Sequence, residues 1–527
     1  MSVFTGTGTL IRFVARRERV RIPVYLVILT LLIVTTAVQS EELYPTAAER
    51  AAYVATVSGN PGLIAMVGPA WDVSTVGGDT AWQWGGLGGV VAALMSMFVV
   101  GRHTRAEEQS ERSELIRAGV VGREAPLTAT LLVAVAANVL AGAVVALSMI
   151  ALDQTAAGSI AFGASVAGVG LMFAGVAAVA MQVSQSTSGA YGLVGAALGA
   201  AYVLRAAGDV GNGTLSWLSP VGWGQAMRPY AGERWWPLLL LLGGTVVLVA
   251  AAFALLARRD DGAGVVAPRP GPPAARPGLT RPLGFALRLH RNALMGWTVG
   301  LLIAGVSIGL TAQDAEALVG DSEAVDRLIE QTPGSLVDNY LAFSLLAMAL
   351  IATGFALQAV LRMRSEESAD RLEPLLATAL ARPRWAMSHV ALAMAGAVVV
   401  VGATGLGAGA ADAFNSNDAG RVPELLGSSL AFVPAVWVLS GAAVALYGLV
   451  PRAAAAAWGL LGGVWLVGLL GPLLSLPDWV MDLSPFTHVP LVPAADLEVT
   501  PLIVLTAIAA ALVGVGLVGF RRRDVPA

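Results

Sequence analysis

The chain has 527 residues, 56% of them hydrophobic and only 13% charged, with a mean hydropathy of +0.72, which excludes a soluble globular enzyme and points to a membrane protein. The net charge of −3 gives no sign of a nucleic-acid partner, and the absence of cysteine removes disulfide and thiolate chemistry. All 32 basic residues are arginine, so the chain can hold neither a Schiff-base lysine nor the lysine of a phosphate-binding Gly-x-x-x-x-Gly-Lys-Ser/Thr loop.

In chain order, segment 9–21 mixes Leu10, Ile11, Phe13 and Val14 with Arg12, Arg16 and Arg17. This is the pattern of an interfacial amphipathic helix, or of the basic flank of a span. A spanning helix needs about 20 mainly apolar residues. Twelve such spans are expected near 22–38, 82–100, 126–152, 158–183, 189–207, 236–257, 293–311, 339–361, 387–411, 424–449, 453–474 and 501–520. The first also has the look of a signal peptide, but a matching run stands in mid-chain, where no signal peptidase would act.

The first span leads into an acidic outer loop, 39–80, with a helix-like run at Ala47–Val57. After the second span, Arg105–Gly119 reads as a charged cytoplasmic helix, with Glu108 four residues before Arg112 in the favourable acid-then-base order. A proline-rich linker, 261–283, follows the sixth span. The second half begins with segment 284–292, has an outer loop at 312–338 with a helix-like run at Ser322–Gln331, and carries a second charged segment, Arg364–Thr378, in which Glu367 precedes Arg371.

The two charged segments are copies. Arg105, Glu107, Glu108, Glu111, Arg112, Glu114 and Arg123 recur 259 residues later as Arg364, Glu366, Glu367, Asp370, Arg371, Glu373 and Arg382. Each half closes on Arg-Arg-Asp, at 258–260 and 522–524. Residues 1–260 and 284–527 therefore read as tandem six-span copies of parallel topology, in an all-α membrane protein with twelve transmembrane helices. With both termini in the cytoplasm, 26 of the 32 arginines fall on the inner side, as the positive-inside rule requires.

Ionisable residues are sparse within the spans, which argues against an ion-driven machine. Asn138 and Gln358 are expected to bond between helices, and His103, His290, His389 and His488 are too scattered for a metal cluster.

Two six-span halves, an amphipathic segment before each, a short acidic-basic segment after each second span and no nucleotide site together resemble the membrane subunit of a type-2 ATP-binding-cassette exporter. The Arg-x-Glu-Glu pattern and Leu-Leu-Ala-Thr-Ala-Leu-Ala-Arg-Pro-Arg-Trp-Ala-Met-Ser-His at 375–389 are similar to the fused permeases of actinobacterial exporters linked to polyketide antibiotics such as tetronasin. The resemblance implies a permease of the plasma membrane, without catalytic residues and without a metal or cofactor of its own. ATP and Mg would sit on two copies of a separate ATPase, and the cargo would be a hydrophobic or amphipathic drug. It further implies that Arg105, Glu107, Glu108, Glu111, Arg112, Glu114, Arg364, Glu366, Glu367, Asp370, Arg371 and Glu373 couple to those ATPases. Met95, Met97, Phe98, Tyr202, Phe343, Met348, Phe355, Trp458 and Trp465, on the second and fifth spans of the two halves, would line the substrate path. An ion-driven secondary multidrug transporter, also built from two six-span halves, stays open as the alternative.

Overall fold

The computed structural model describes residues 2–58, 61–260, 262–267, 271, 273–275, 277–314, 334–470 and 477–524, and among them all regular structure is helical. Hydrocarbon offers no hydrogen-bonding solvent, so a spanning segment must satisfy its peptide groups internally, and long helices follow from the composition. The chain divides into two compact units, Met1–Gly271 and Pro272–Ala527.

The first unit contains α1 (Thr7–Glu18), α2 (Arg21–Leu43), α3 (Ala47–Ser58), α4 (Pro61–Met66), α5 (Val76–Arg102), α6 (Arg105–Gln109), α7 (Arg112–Arg117), α8 (Ala125–Ala151), α9 (Ala156–Val183), α10 (Thr187–Val210), α11 (Pro220–Gln225) and α12 (Trp236–Arg258). The second contains α13 (Pro282–Thr311), α14 (Leu336–Ser368), α15 (Leu372–Leu376), α16 (Arg382–Ser416), α17 (Arg421–Leu430), α18 (Val433–Leu449), α19 (Ala456–Leu470), α20 (Asp478–Met481) and α21 (Val499–Arg522). The second spans start on side-chain caps: Thr75 accepts from the Gly78 amide at the head of α5, and Ser335 accepts from the Asp338 amide at the head of α14.

Among the described residues, eleven helices are long and apolar enough to cross a membrane. The difference from twelve falls at 453–474, where α19 has 15 residues, short of the roughly 20 a span needs, and 471–474 lie outside the described residues. Three other expectations change. Segment 284–292 forms no separate helix but the first turns of α13, whereas its counterpart is the free-standing α1. Arg105–Gly119 divides into α6 and α7, and Arg364–Thr378 starts inside α14 and resumes as α15. Outer loop 39–80 holds α3 and α4, while most of loop 312–338, including Ser322–Gln331, lies outside the described residues.

Burial separates inner from peripheral spans. In the first unit 78% of the apolar window of α9 is buried but only 11% of that of α12, whose leucines and valines face outward where lipid would be. Inner spans approach closely because glycine removes the Cβ. Those of Gly142 on α8 and Gly163 on α9 would each collide with the other's carbonyl, and Gly448 on α18 meets the backbone of Gly516 on α21 in the same way. Asn138 donates to Ser96 Oγ (2.8 Å) and Ser96 to the Gly170 carbonyl (2.8 Å) in the core, and Trp297 Nε1 donates to the exposed Gln358 (2.9 Å).

Gly448→Leu is expected to force α18 and α21 apart and destabilise the protein by about 1–3 kcal/mol, seen as a lower thermal midpoint in detergent. Gly459→Leu, where nothing lies within 4 Å of the added Cβ, should leave the midpoint unchanged.

Candidate functional site

The charged segment after α5 begins in the protein interior. The Arg105 side chain is fully buried; its Nε and Nη2 donate to the Met181 carbonyl at 3.0 and 2.6 Å, and Nη1 donates to Glu108 at 2.7 Å. Arg259, just past α12, also binds Glu108, through Nη2 and through Nη1 at 3.0 Å, and its Nε donates to Gln182 Oε1 on α9 at 2.7 Å. Arg123 holds the Arg259 carbonyl at 2.9 Å. Arg105 and Arg259 both reach the Ala263 carbonyl, and Val265 and Val266 donate to the Gln182 and Val183 carbonyls, so the linker's first residues are pinned along the end of α9.

The second unit repeats the arrangement with residues in the same sequence register. Arg523, just past α21, binds Glu367 at the end of α14 through two parallel bonds of 2.7 and 2.6 Å, the strongest geometry available to this ion pair. Arg382 donates to the Arg523 carbonyl at 3.1 Å, as Arg123 does to that of Arg259. The α18 partner here is aromatic: the Arg523 guanidinium lies over the Tyr447 ring, 4.9 Å from its centroid. Arg364 is 3.6 Å from Glu367, and Glu366 is held by Arg362 at 2.8 Å with Arg371 at 3.6 Å.

Beyond each clasp the chain turns sharply. Glu111 and Asp370 adopt φ of 58° and 54°, the left-handed region that costs a side-chain-bearing residue about 1–2 kcal/mol. Their amides donate to the Glu108 and Glu367 carbonyls at 3.2 and 3.1 Å, so each elbow hangs on the backbone of its clasp glutamate. This break replaces the expected pairings of Glu108 with Arg112 and Glu367 with Arg371.

The twelve residues expected to couple to ATPases therefore fall into two sets. Arg105, Glu107, Glu108, Arg364, Glu366 and Glu367 are wholly or mostly withdrawn from solvent and serve the clasp and its neighbours; Glu111, Arg112, Glu114, Asp370, Arg371 and Glu373 are exposed beyond it. Leu115, 78% exposed, adds an apolar point to the first exposed set. Behind the first clasp a recess of about 40 Å³, lined by His103, Glu107, Glu108, Arg123 and Arg259 among others, has room for water but not for a drug.

A second network joins α1 to the same corner. Glu18 at the end of α1 is buried and accepts from Arg102 and His103 Nε2 at 2.8 Å each, with Arg21 at 3.5 Å, and Arg17 binds Glu107. Burial pushes the Glu18 carboxyl up, but the His103 hydrogen bond and the Arg102, His103 and Arg21 charges outweigh it and hold it below its ordinary value. In the second unit, His290 and His389 contact each other at 3.0 Å, with His389 packed on Trp385.

The expected path residues also divide. Met95, Met97 and Phe355 are buried in the cores of their own units. Phe98 packs edge-on against Tyr191, and Tyr202 donates to the Met66 carbonyl in the outer loop beside Arg205, which donates to the same carbonyl at 2.9 Å. Phe343 and Trp458 are exposed, and Met348 and Trp465 half-buried.

Two buried acids at span ends escaped the sequence reading. Asp79 accepts from Tyr53 at 2.9 Å and Gln83 at 3.1 Å, and Asp412 from Arg421 at 2.6 Å and Gln313 at 2.7 Å. Lying 259 residues apart, Asp79 and Asp338 hold the same register, which was the available signal; Asp338 also binds Arg421, at 3.0 Å.

With all regular structure helical among the described residues, eleven membrane-length helices among them and charge clusters at the ends of these helices, the chain is a multi-pass membrane protein. The family model described as the C-terminal domain of the multidrug efflux system permease Rv1217c matches residues 279–521. Over 528 residues, 99% of this chain and 96% of the relative, the sequence is 42% identical to the multidrug efflux system permease protein Rv1217c of Mycobacterium tuberculosis. The chain belongs to that permease family.

Because the Glu18 carboxyl titrates below its unfolded value, its stabilising contribution is complete above the ordinary carboxylate range and is lost as pH falls through the folded value. Glu18→Gln should therefore lower the melting midpoint at neutral pH and flatten its fall on acidification below about pH 4.5. At the elbow, Asp370→Gly should leave the midpoint unchanged or raised, while Asp370→Val costs about 1–2 kcal/mol.

Proposed function

We propose that this chain is the permease subunit of an ATP-driven drug exporter. It comprises two tandem six-span halves with cytoplasmic termini and works with two copies of a separate ATPase that carry ATP and Mg. The observation that carries the reading is the pair of exposed charged sets, Glu111, Arg112 and Glu114 and then Asp370, Arg371 and Glu373, each set off by a left-handed elbow from a buried clasp at the end of a second span. An exposed acidic-basic face on a firm mount suits protein docking, and its recurrence suits two identical partners. The lack of lysine removes the phosphate-binding loop from this chain and leaves hydrolysis to those partners. The relative's description as a multidrug efflux permease supports hydrophobic and amphipathic cargo. Of the residues expected along the path, Phe343 and Trp458 are the best placed to meet such cargo because their side chains are exposed.

Asp79, a buried carboxylate satisfied by neutral donors, favours the second reading, a proton-driven transporter. The two readings separate in energised cells: drug export that stops with vanadate and needs a second gene product fits the ATP-driven permease. Export abolished by an uncoupler at constant ATP fits the alternative. For the docking face, Arg371→Glu with Glu373→Arg should insert normally yet lose co-purification of the ATPase and at least tenfold of export. Unchanged co-purification and export would remove the assignment.

A further inference from the structure

Each clasp joins three spans at one point. In the first half these are α5, through Glu108 on the α6 turn that continues it, α9 through Gln182 and the Met181 carbonyl, and α12 through Arg259 just past its end. In the second they are α14 through Glu367, α18 through Tyr447 and α21 through Arg523. Gln182 and Tyr447 are separated by 265 residues, the offset that also relates Leu218-Ser219-Pro220 to Leu483-Ser484-Pro485, so the fourth-span partner holds the same register although its chemistry changed from amide to aromatic. The start of the third span joins as well, since Arg123 and Arg382 hold the carbonyl of the clasp arginine. The fifth span of the first half meets this corner through a neutral, exposed bond from Thr187 to Gln109, which water competes with directly.

We infer that Glu108–Arg259 and Glu367–Arg523 weld the second, fourth and sixth spans of each half into one moving body, with the exposed segment beyond the elbow as its handle. This makes those four side chains positioning residues for ATP-driven transport, and it rests on the ATPase-docking reading above. Arg259 is 5% exposed, so opening its clasp would strand a guanidinium that cannot lose its charge. A push delivered at the exposed segment therefore reaches three helices together instead of unwinding the tip of one. The placement is also informative: the clasp glutamate stands three residues before the elbow in both halves and its own carbonyl accepts the elbow's amide. Anchoring and aiming are thus done by one residue, which an ion pair serving stability alone would not require.

The test uses the full permease co-expressed with its ATPase, with ethidium and rhodamine 6G as transported probes. Three quantities are read: the amount of assembled complex, ATP hydrolysis, and dye exported per ATP hydrolysed. Glu367→Gln is expected to assemble at the wild-type level but export at least tenfold less dye per ATP, and the swap Glu367→Arg with Arg523→Glu to recover most of that loss. A purely structural pair would lower the amount of complex and leave dye per ATP unchanged. If Glu367→Gln does not assemble, the neutral pair Glu367→Gln with Arg523→Gln leaves no stranded charge and should show the same loss of coupling. Wild-type coupling in any assembled clasp variant overturns the clasp's role alone, whereas failure of the wild-type permease to bind any ATPase overturns the docking face and the clasp's role together.

Discussion

An arginine keeps its charge at every pH a cell membrane meets, so each guanidinium drawn among the helices must find a carboxylate, a carbonyl or an aromatic face there. With no lysine in the chain, that requirement organises the ends of its spans. It produces the two clasps, where Arg259 ties the end of α12 to α6 and Arg523 ties the end of α21 to α14. Elsewhere Arg205 binds the carbonyl of Met66, Arg421 binds Asp338, Asp412 and Glu424, and Arg228 lies over the face of Trp71. Planar, multidonor side chains suit these roles better than an ammonium would, because one head can serve two or three acceptors at once.

Membrane class and helical architecture were legible because about 20 apolar residues have one economical fate in lipid. The duplicated charge pattern was equally plain, but its meaning was not. Sequence inspection offers Glu108 a partner four residues away, whereas the structure supplies one 151 residues away, at Arg259. The elbows that prevent the local pairing were invisible, since nothing in the composition of Glu111 or Asp370 announces a positive φ. The facing of the path residues was hidden for a related reason: α5 and α14 are apolar all round, so a methionine or phenylalanine on them can face core, lipid or cavity with the same local sequence. Met95 and Phe355 turned inward while Phe343 did not. Segment 284–292 was misjudged because Arg288 and Arg291 interrupt the apolar run without breaking the helix that contains them.

The tandem reading also brings out where corresponding positions part. Glu18 aligns with His290 through the 272-residue offset of the pre-span segments, and His103 with Arg362 through the 259-residue offset of the charged ones. One half answers a buried glutamate with a histidine and an arginine, and the other sets histidine against histidine. The first clasp has two deeply buried arginines and grips the linker; the second has one bidentate arginine backed by rings, with Arg364 still partly in solvent.

A dimer of identical chains must accept every substitution twice, on both sides of its axis, so a change that benefits one side is imposed on the other. A single polypeptide carrying both halves is free of that obligation. The unequal clasps are what such freedom permits: an arginine pair that grips the linker in one half and a ring-backed arginine in the other can change one at a time. On the docking reading proposed above, two identical partners would meet unlike mounts, and the loads they bear need not be equal.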